Sequence, residues 1–353
     1  MGEVTFCTTN DGSAGLFNKT VDDIYHSSYG AYSESYEKFL KSSGFLDFIK
    51  ENDEVSILDI CYGIGYNTKT ALDEILKLEK IIDIKIDALE YDKKLVHISP
   101  ILKYQKIDNV INEFIINNSN LTAEFSIFEL IKIMYEMKGE KFINWHNILK
   151  LGSLNSKIGG FLYPLAKLIA FQHNIYYNYI TKRFKKGQKY SKLAKTSLKF
   201  YFDDARKSIL GLQGKYDFIF LDAFTPKKLP TLWSYEFFKE LYRLLDSDGV
   251  LVTYSSSAAV RGAMLEAGFF IGSSLDENNK RIGTIATKNK NLIKTELSEF
   301  DLSLIKTKAG IFYRDENLNA SKEHIISNRE NEVQNSNRMT SSRFKKLYEK
   351  QEL

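Results

Sequence analysis

The stretch Phe218–Ser234, FIFLDAFTPKKLPTLWS, decides the fold class of this chain. It opens with four apolar residues, which is typical of a strand buried on both faces of a parallel sheet. The strand ends at an acidic residue, Asp222, and Phe224 and a Thr-Pro turn follow at once. Open α/β sheets bind ligands at the carboxyl ends of their strands, so we interpret Asp222 as a functional residue. A helix cap or turn aspartate is the alternative.

A glycine-rich turn lies upstream in the order that an α/β cofactor-binding enzyme requires. Val55–Cys61 predicts a buried strand, Gly63 and Gly65 follow it, and residues 67–80 have helical periodicity. Residues 84–89 predict a second strand, which completes a βαβ unit with an expected right-handed crossover.

The composition of this turn favours one class of cofactor. Glycines let the backbone approach a ligand closely, and the helix behind them supplies N–H donors. The dinucleotide fingerprint requires a third glycine at position 68, where Thr68 stands. The turn therefore favours a nucleoside joined to an amino acid, such as S-adenosylmethionine, over a pyrophosphate.

Acidic residues end four predicted strands: Asp59, Glu90, Asp204 and Asp222. Glu90 ends the second strand, where a carboxylate can accept both hydroxyls of a ribose. Asp204 follows the third strand, where it can meet an adenine amino group. Each acid alone also fits a helix cap or a surface turn. One ligand crossing the carboxyl edge of the sheet explains all four.

The remaining segments predict additions to one α/β domain. We expect an N-terminal cap, with a hairpin at the Asn10-Asp11-Gly12 turn, a central domain, a mostly helical insertion and a C-terminal extension. These cover residues 1–40, 41–290, about 95–195 (within the central domain) and 291–353. Further strands are expected at Leu198–Phe202, Val250–Tyr254, Phe269–Ile271 and Gly283–Thr287, the last two as an antiparallel edge pair.

Length and composition bound the class of protein. A chain of 353 residues, 43% of them hydrophobic, suits one large α/β domain with insertions, or two domains. Cys7 and Cys61 lack paired spacing, so we expect free thiols and neither a metal site nor a disulfide framework. No stretch reaches the ~20 apolar residues of a membrane helix, and the N-terminus lacks a secretion signal. We expect a cytoplasmic protein without a membrane partner.

The net charge of +4 is only weak evidence for any binding partner, whereas the distribution of charge along the chain is more informative. Residues 182–199 hold eight basic side chains and no acidic one, with Phe184 and Tyr190 among them. Basic residues interleaved with aromatic ones suit binding of a nucleic acid. The basic side chains would contact the phosphate backbone, and the aromatic rings would stack on the nucleobases. A solvated helix face is the alternative. The candidate RNA contacts are Lys182, Arg183, Lys185, Lys186, Lys189 and Lys192.

Several segments form a recognisable set of motifs. They include Asp-Gly-Ser at 11–13, Leu-Asp-Ile-Cys-Tyr-Gly-Ile-Gly-Tyr-Asn at 58–67, Asp-Ala-Arg at 204–206, Phe-Leu-Asp-Ala-Phe-Thr-Pro with Leu-Trp-Ser at 220–234, and Gly-Ile-Phe-Tyr-Arg-Asp at 310–315. With them the chain resembles the methyltransferase half of the bacterial tRNA 5-methylaminomethyl-2-thiouridine biosynthesis protein (MnmC). The resemblance spans nearly the whole chain except the insertion.

The resemblance implies a Rossmann-like fold that binds S-adenosyl-L-methionine and methylates 5-aminomethyl(-2-thio)uridine at the tRNA wobble position. It implies a tRNA partner, held at the anticodon region, and a stand-alone form without the flavin-dependent oxidase half. Asp222 would face the substrate amine, and Phe224 would stack on the uracil. The implied cofactor contacts are Gly63, Gly65 and Asn67 for methionine, Glu90 for ribose, Asp204 and Ala205 for adenine, and Glu34 closing over the cofactor.

Two other functions stay open at this point. An aminopropyltransferase that acts on a small polyamine also needs strand-end acids, although it does not need a basic tract. A tRNA-binding protein with a relict cofactor pocket would keep the basic tract without turnover. The intact set of acids and glycines disfavours the relict pocket.

Overall fold

The computed structural model describes residues 4–20, 22–25, 30–78, 80–104, 107, 110–121, 127–144 and 194–350. Its strands are β1 (Val4–Thr8), β2 (Ala14–Asn18), β3 (Asp23–Ile24), β4 (Glu54–Ile60), β5 (Ile82–Leu89), β6 (Ala194–Tyr201), β7 (Tyr216–Leu221), β8 (Leu245–Thr253), β9 (Phe270–Leu275) and β10 (Arg281–Thr287). A small sheet has the order β1-β2-β3, and a seven-stranded sheet has the order β6-β5-β4-β7-β8-β10-β9.

The large sheet is mixed, as the sequence predicts. β5 pairs in parallel with β6, and β7 pairs in parallel with both β4 and β8. β10 runs antiparallel to β8 and to β9, so the expected antiparallel pair is present at this edge. The small sheet begins with an antiparallel hairpin of β1 and β2, whose turn contains the predicted Asn-Asp-Gly signal.

Helices lie between the strands and continue after them. They are α1 (Ala31–Glu34), α2 (Phe45–Glu51), α3 (Tyr66–Lys77), α4 (Lys93–Ile98), α5 (Val110–Asn118), α6 (Ile127–Glu136), α7 (Ala205–Gly211), α8 (Tyr235–Leu244), α9 (Ala258–Glu266), α10 (Glu299–Ile305), α11 (Lys322–Asn335) and α12 (Ser341–Glu349). A π-helical segment, Ser35–Lys41, follows α1.

The apolar run of β7 is buried because aromatic side chains cover it. Phe218 is 2% exposed and Phe220 is fully buried. The ring of Phe45 lies edge-on to both, with centroid separations of 5.1 Å and 6.3 Å. Burial of each such side chain contributes roughly 1.5–3 kcal/mol, which explains why the strand needs no polar face.

Capping residues set the bounds of the helices near this strand. Ser234 caps α8 by accepting a hydrogen bond from the amide of Phe237 at 3.2 Å. Gly268 follows α9 with φ +100°, the left-handed conformation expected of a glycine after a helix. The helix predicted at residues 67–80 ends earlier than expected, at Lys77.

One strand begins earlier than the sequence predicts. β6 was expected to start at Leu198, but it pairs with β5 along eight residues, from Ala194 opposite Ile82 to Tyr201 opposite Leu89. Lys195 and Lys199 of the basic run therefore lie in a strand. The prediction was wrong because this polar edge strand lacks the continuous apolar pattern of a buried one.

The described residues group into two compact units. The first draws on residues 1–36, 46–55 and 62–202 and includes the small sheet, α3, β5 and β6. The second draws on residues 37–45, 56–61 and 203–353 and includes β7–β10 and α7–α12. The domain limits given under Sequence analysis stay predictions.

The predicted insertion is described in part. Between residues 95 and 144 the described segments include most of α4 and all of α5 and α6, and residues 145–193 lie outside the described part of the chain. Within the described ranges, no helix is both long and apolar enough to span a membrane.

Candidate functional site

The glycine turn between β4 and α3 has the backbone conformation that its residues predict. Gly63 has φ +58° and Gly65 has φ +86°, both in the left-handed region. A Cβ atom on Gly65 would lie 2.3 Å from the hydroxyl oxygen of Tyr62, so no other residue fits there without displacing that ring. Tyr62 lies within the motif at 58–67, but no role was predicted for its side chain from the sequence.

Glu90 and the glycine turn are brought together. The side chain of Glu90 is 9% exposed, and its Oε2 accepts a hydrogen bond from the amide of Gly63 at 2.8 Å. Its Oε1 accepts one from the amide of Asp92 at 2.9 Å. Burial raises the pKa of Glu90 to about 7, although these backbone hydrogen bonds act in the opposite direction. The carboxyl group can therefore change charge near neutral pH.

This arrangement fits a nucleoside cofactor that carries an amino acid. A carboxylate at the end of a strand accepts hydrogen bonds from a ribose diol. Gly65 is the N-cap of α3 and has no side chain to cover the helix terminus, so a carboxylate ligand can approach the first amides. Asn67, 4% exposed, lies in that first turn. The donors and acceptors thus match the ribose and methionine parts of S-adenosyl-L-methionine.

Glu34 is buried at the end of α1, and a polar cluster fixes the start of that helix. The carboxylate of Asp11 accepts hydrogen bonds from the amides and hydroxyls of Ser13 and Ser33. The Ser13 hydroxyl in turn accepts one from the amide of Ala31 at 2.9 Å. Partial burial disfavours ionisation of Asp11, but the hydrogen bonds outweigh it and lower the pKa to about 2.

Asp11 was therefore missed as a residue that positions Glu34. The signal was present, because residues 11–13 form one of the motifs that carry the family resemblance. From the sequence, this segment was predicted only as a turn and as part of the resemblance.

In the second unit, Asp59 and Asp222 come from paired strands. Asp59 is fully buried in β4, and Asp222 follows β7 directly. The amide of Asp222 donates to the carbonyl oxygen of Ile60 at 3.3 Å, which continues the parallel pairing of these strands beyond β7. The structure therefore places both acids at the carboxyl ends of neighbouring strands.

The loop that carries Asp222 and Phe224 is fixed by two aromatic side chains. Tyr254 donates its hydroxyl hydrogen to the carbonyl oxygen of Ala223 at 2.8 Å. Trp233, fully buried, donates from Nε1 to the carbonyl oxygen of Phe224 at 2.8 Å. Trp233 belongs to the motif at 220–234, and in the structure it both packs in the core and orients this loop.

Asp204 caps a helix, which was the alternative interpretation of this residue from the sequence. It is the N-cap of α7 and accepts from the amide of Arg206 at 2.9 Å. The guanidinium of Arg206 also bridges Asp204 and the buried Asp315, each at 2.7 Å. Burial opposes ionisation of Asp204, yet the hydrogen bonds from Arg206 lower its pKa. Contact of Asp204 and Ala205 with adenine stays a prediction.

Two further predictions concern RNA and metal. The six candidate RNA contacts between Lys182 and Lys192 lie outside the described residues. Across the described ranges, no group of three histidine, cysteine or acidic side chains is arranged to hold a metal ion.

Comparison with known proteins identifies the class of enzyme. Residues 166–289 match a family of S-adenosyl-L-methionine-dependent methyltransferases. The solved structure of MnmC2 from Aquifex aeolicus superposes with a TM-score of 0.67 at 25% identity, covering 95% of this chain and 87% of that one. By this match and this superposition the chain is an S-adenosyl-L-methionine-dependent methyltransferase similar to MnmC2. The Rossmann-like fold and the cofactor predicted from the sequence are thereby confirmed.

Other relatives cover this methyltransferase to different extents. The uncharacterized protein MJ0670 of Methanocaldococcus jannaschii is 29% identical over 91% of the chain and 70% of its own length. The bifunctional MnmC of an Azoarcus species is 38% identical over 24% of the chain. That alignment spans only 13% of the bifunctional protein, so its full activity is not transferred to this chain by similarity alone.

Proposed function

We propose that this methyltransferase N-methylates 5-aminomethyl(-2-thio)uridine at the wobble position of tRNA and gives 5-methylaminomethyl(-2-thio)uridine. The observation that carries the proposal is the loop after β7. It presents a carboxylate, Asp222, and an aromatic ring, Phe224, on a backbone held by Tyr254 and Trp233. The names of the MnmC relatives support the same substrate.

In this proposal the cofactor lies along the carboxyl ends of the strands. The glycine turn and Asn67 hold the methionine part, Glu90 binds the ribose, and Asp204 with Ala205 contacts the adenine. Asp59 contacts the cofactor from the end of β4, and Glu34 closes over the cofactor. The cofactor supplies an electrophilic methyl group on sulfur.

On the substrate side, the amine must present its lone pair to that methyl group. A primary amine is mostly protonated near neutral pH, so it has to lose a proton before it can attack. The Asp222 carboxylate accepts hydrogen bonds from the amine and turns the lone pair toward the methyl group. Positioning of this kind supplies most of the acceleration, and a base function adds about 10²–10⁴-fold.

Phe224 stacks on the uracil ring in this arrangement, because single-stranded RNA bases are commonly held on aromatic faces. Tyr254 and Trp233 each donate one hydrogen bond to the carbonyls of Ala223 and Phe224, which leaves these oxygens with less accepting capacity for the amine than the Asp222 carboxylate has. The basic run at 182–192 binds phosphates of the anticodon stem, which makes affinity fall steeply with salt.

The test is transfer of labelled methyl from S-adenosyl-L-methionine to two tRNA pools. One pool bears 5-aminomethyluridine and the other only its carboxymethylaminomethyl precursor. We expect label in the first pool alone, and its loss in Asp222→Asn. Cofactor binding with label in neither pool would refute the substrate. Formation of spermidine from putrescine and decarboxylated S-adenosylmethionine, in a separate assay, would indicate an aminopropyltransferase.

A further inference from the structure

A buried lysine, Lys69, lies one helical turn beyond the glycine turn. It is fully buried in α3, and its backbone amide bonds to the carbonyl oxygen of Gly65 at 2.8 Å. Its Nζ donates to the carbonyl oxygen of Ser99 at 2.9 Å and to the hydroxyl oxygen of Tyr104 at 2.6 Å. Nζ also lies 3.8 Å from the centroid of the Tyr104 ring.

The two residues that Lys69 contacts both hold the glycine turn. The hydroxyl of Ser99 and the hydroxyl of Tyr104 each donate to the carbonyl oxygen of Ile64, at 2.7 Å in both cases. Ile64 stands between Gly63 and Gly65, so its peptide groups are shared with the two glycines. The carbonyl of Ile64 and the N–H of Gly65 lie in one peptide plane, so the orientation of the carbonyl sets the orientation of that N–H.

Lys69 controls the direction of these hydrogen bonds. A tyrosine hydroxyl has one hydrogen to donate. Because Lys69 donates to the oxygen of Tyr104, the hydroxyl hydrogen is left for Ile64. The 3.4 Å separation between this hydroxyl and the Ser99 carbonyl, against 2.7 Å to Ile64, agrees with that assignment.

Packing alone does not explain a lysine at this position. A buried amine loses its hydration, and an unbranched apolar side chain of similar length would fill the space without that cost. The amine gains two directed hydrogen bonds, and both lead to residues that hold Ile64. Nothing else in the proposed reaction uses this group.

We propose that Lys69 is a positioning residue for the cofactor. It holds Tyr104 and Ser99 against the carbonyl of Ile64, and so keeps Gly63 and Gly65 in the conformation that receives the methionine part of S-adenosyl-L-methionine. This inference rests on the cofactor placement described under Proposed function.

Calorimetric titration with S-adenosyl-L-methionine tests it on four proteins. They are the wild type, Lys69→Met, Tyr104→Phe and the double variant. We expect each single variant to bind about tenfold more weakly, the effect of one lost hydrogen bond. The double variant should lose less affinity than the sum of the two single losses, because both residues act on the carbonyl of Ile64. Lys77→Met, an exposed lysine on the same helix, is the matched control and should bind like the wild type.

Kinetics and hydrogen exchange separate positioning from general loss of structure. Positioning raises KM for the cofactor and leaves kcat at saturation unchanged, whereas partial unfolding lowers kcat and leaves KM unchanged. The amide of Gly65, which donates to Tyr62 at 2.8 Å, should exchange faster in Lys69→Met.

Equal affinity in the wild type and the folded Lys69→Met protein would overturn the inference. Should that variant not fold, Tyr104→Phe removes only a hydroxyl, and unchanged binding there overturns it as well. A wild type that does not bind S-adenosyl-L-methionine would instead refute the proposed cofactor site.

Discussion

Replacing Lys69 with methionine should change how the stability of the protein depends on pH. Complete burial lowers the pKa of Lys69 well below its usual value. In the unfolded chain the amine titrates near its ordinary pKa of about 10.4. Between these two pKa values the unfolded chain binds a proton at Lys69 that the folded protein does not bind.

The size of the effect follows from this difference of one proton. Lys69 should contribute a rise of about 1.4 kcal/mol for each pH unit within that interval to the free energy of unfolding of the wild type. Lys69→Met lacks the proton, so the stability difference between wild type and variant should grow in favour of the wild type as pH rises. Burial raises the pKa of Tyr104 well above its usual value, so that hydroxyl adds no slope below pH 10.

Urea unfolding followed by circular dichroism at pH values from about 7 to 9.5 measures this slope, which lies below the unfolded pKa. Lys77→Met is the control, because Asp73 and Glu74 at 2.8 Å and 2.6 Å hold the pKa of Lys77 above its usual value despite partial burial. Its curve should run parallel to that of the wild type. A constant difference between wild type and Lys69→Met across the whole range would refute a neutral buried amine.

Four other variants test separate contacts. Asp222→Asn should lower kcat for tRNA methylation by about 10²–10⁴-fold and leave the affinity for the cofactor unchanged in calorimetry. A comparable loss of affinity for the cofactor would place Asp222 at the cofactor instead. Burial raises the pKa of Glu90 to about 7, and a ribose diol needs the ionised acceptor, so affinity for S-adenosyl-L-methionine should fall as pH drops below about 7. Glu90→Gln should bind weakly without that dependence, and a pH dependence that persists would point to another group. Asp11, with its pKa at about 2, should contribute stability above the unfolded pKa that is lost as pH falls from about 4 towards 2. Asp11→Asn should lack this component, about 1 kcal/mol after solvent screening, and acid unfolding curves of identical shape would exclude it. Trp233→Phe keeps an aromatic ring but loses the bond to Phe224, so kcat should drop up to about tenfold; a lower Tm with unchanged kcat would show that Trp233 only packs.

The sequence predicts the buried half of the sheet well because parallel strands covered on both faces are continuously apolar. Phe218–Leu221 shows this pattern, and so does the run before the glycine turn. Glycine is the residue type that most readily adopts φ values of +58° and +86°, so the turn was predictable too.

The edge strand β6 and the role of Lys69 were not predictable in the same way. In β6, Ser197 and Lys199 are exposed, whereas Leu198 and Phe200 are buried. This strand alternation is hard to recognise from the sequence because it overlaps a run of basic residues. Lys69 reads as a solvent-facing residue of an amphipathic helix. Only the fold brings Tyr104, 35 residues away, over its amine.

The glycine turn is held on two sides, and this determines which variants are informative. Glu90 accepts a hydrogen bond from the amide of Gly63, while the hydroxyls of Ser99 and Tyr104 donate hydrogen bonds to the carbonyl oxygen of Ile64. A glutamine at position 90 would alter the ribose contact and the turn together, because its amide nitrogen cannot accept a hydrogen bond from a backbone N–H group. Tyr104→Phe touches the turn only through Ile64. Weaker cofactor binding in that variant therefore reports on the shape of the turn without a change at the ribose contact.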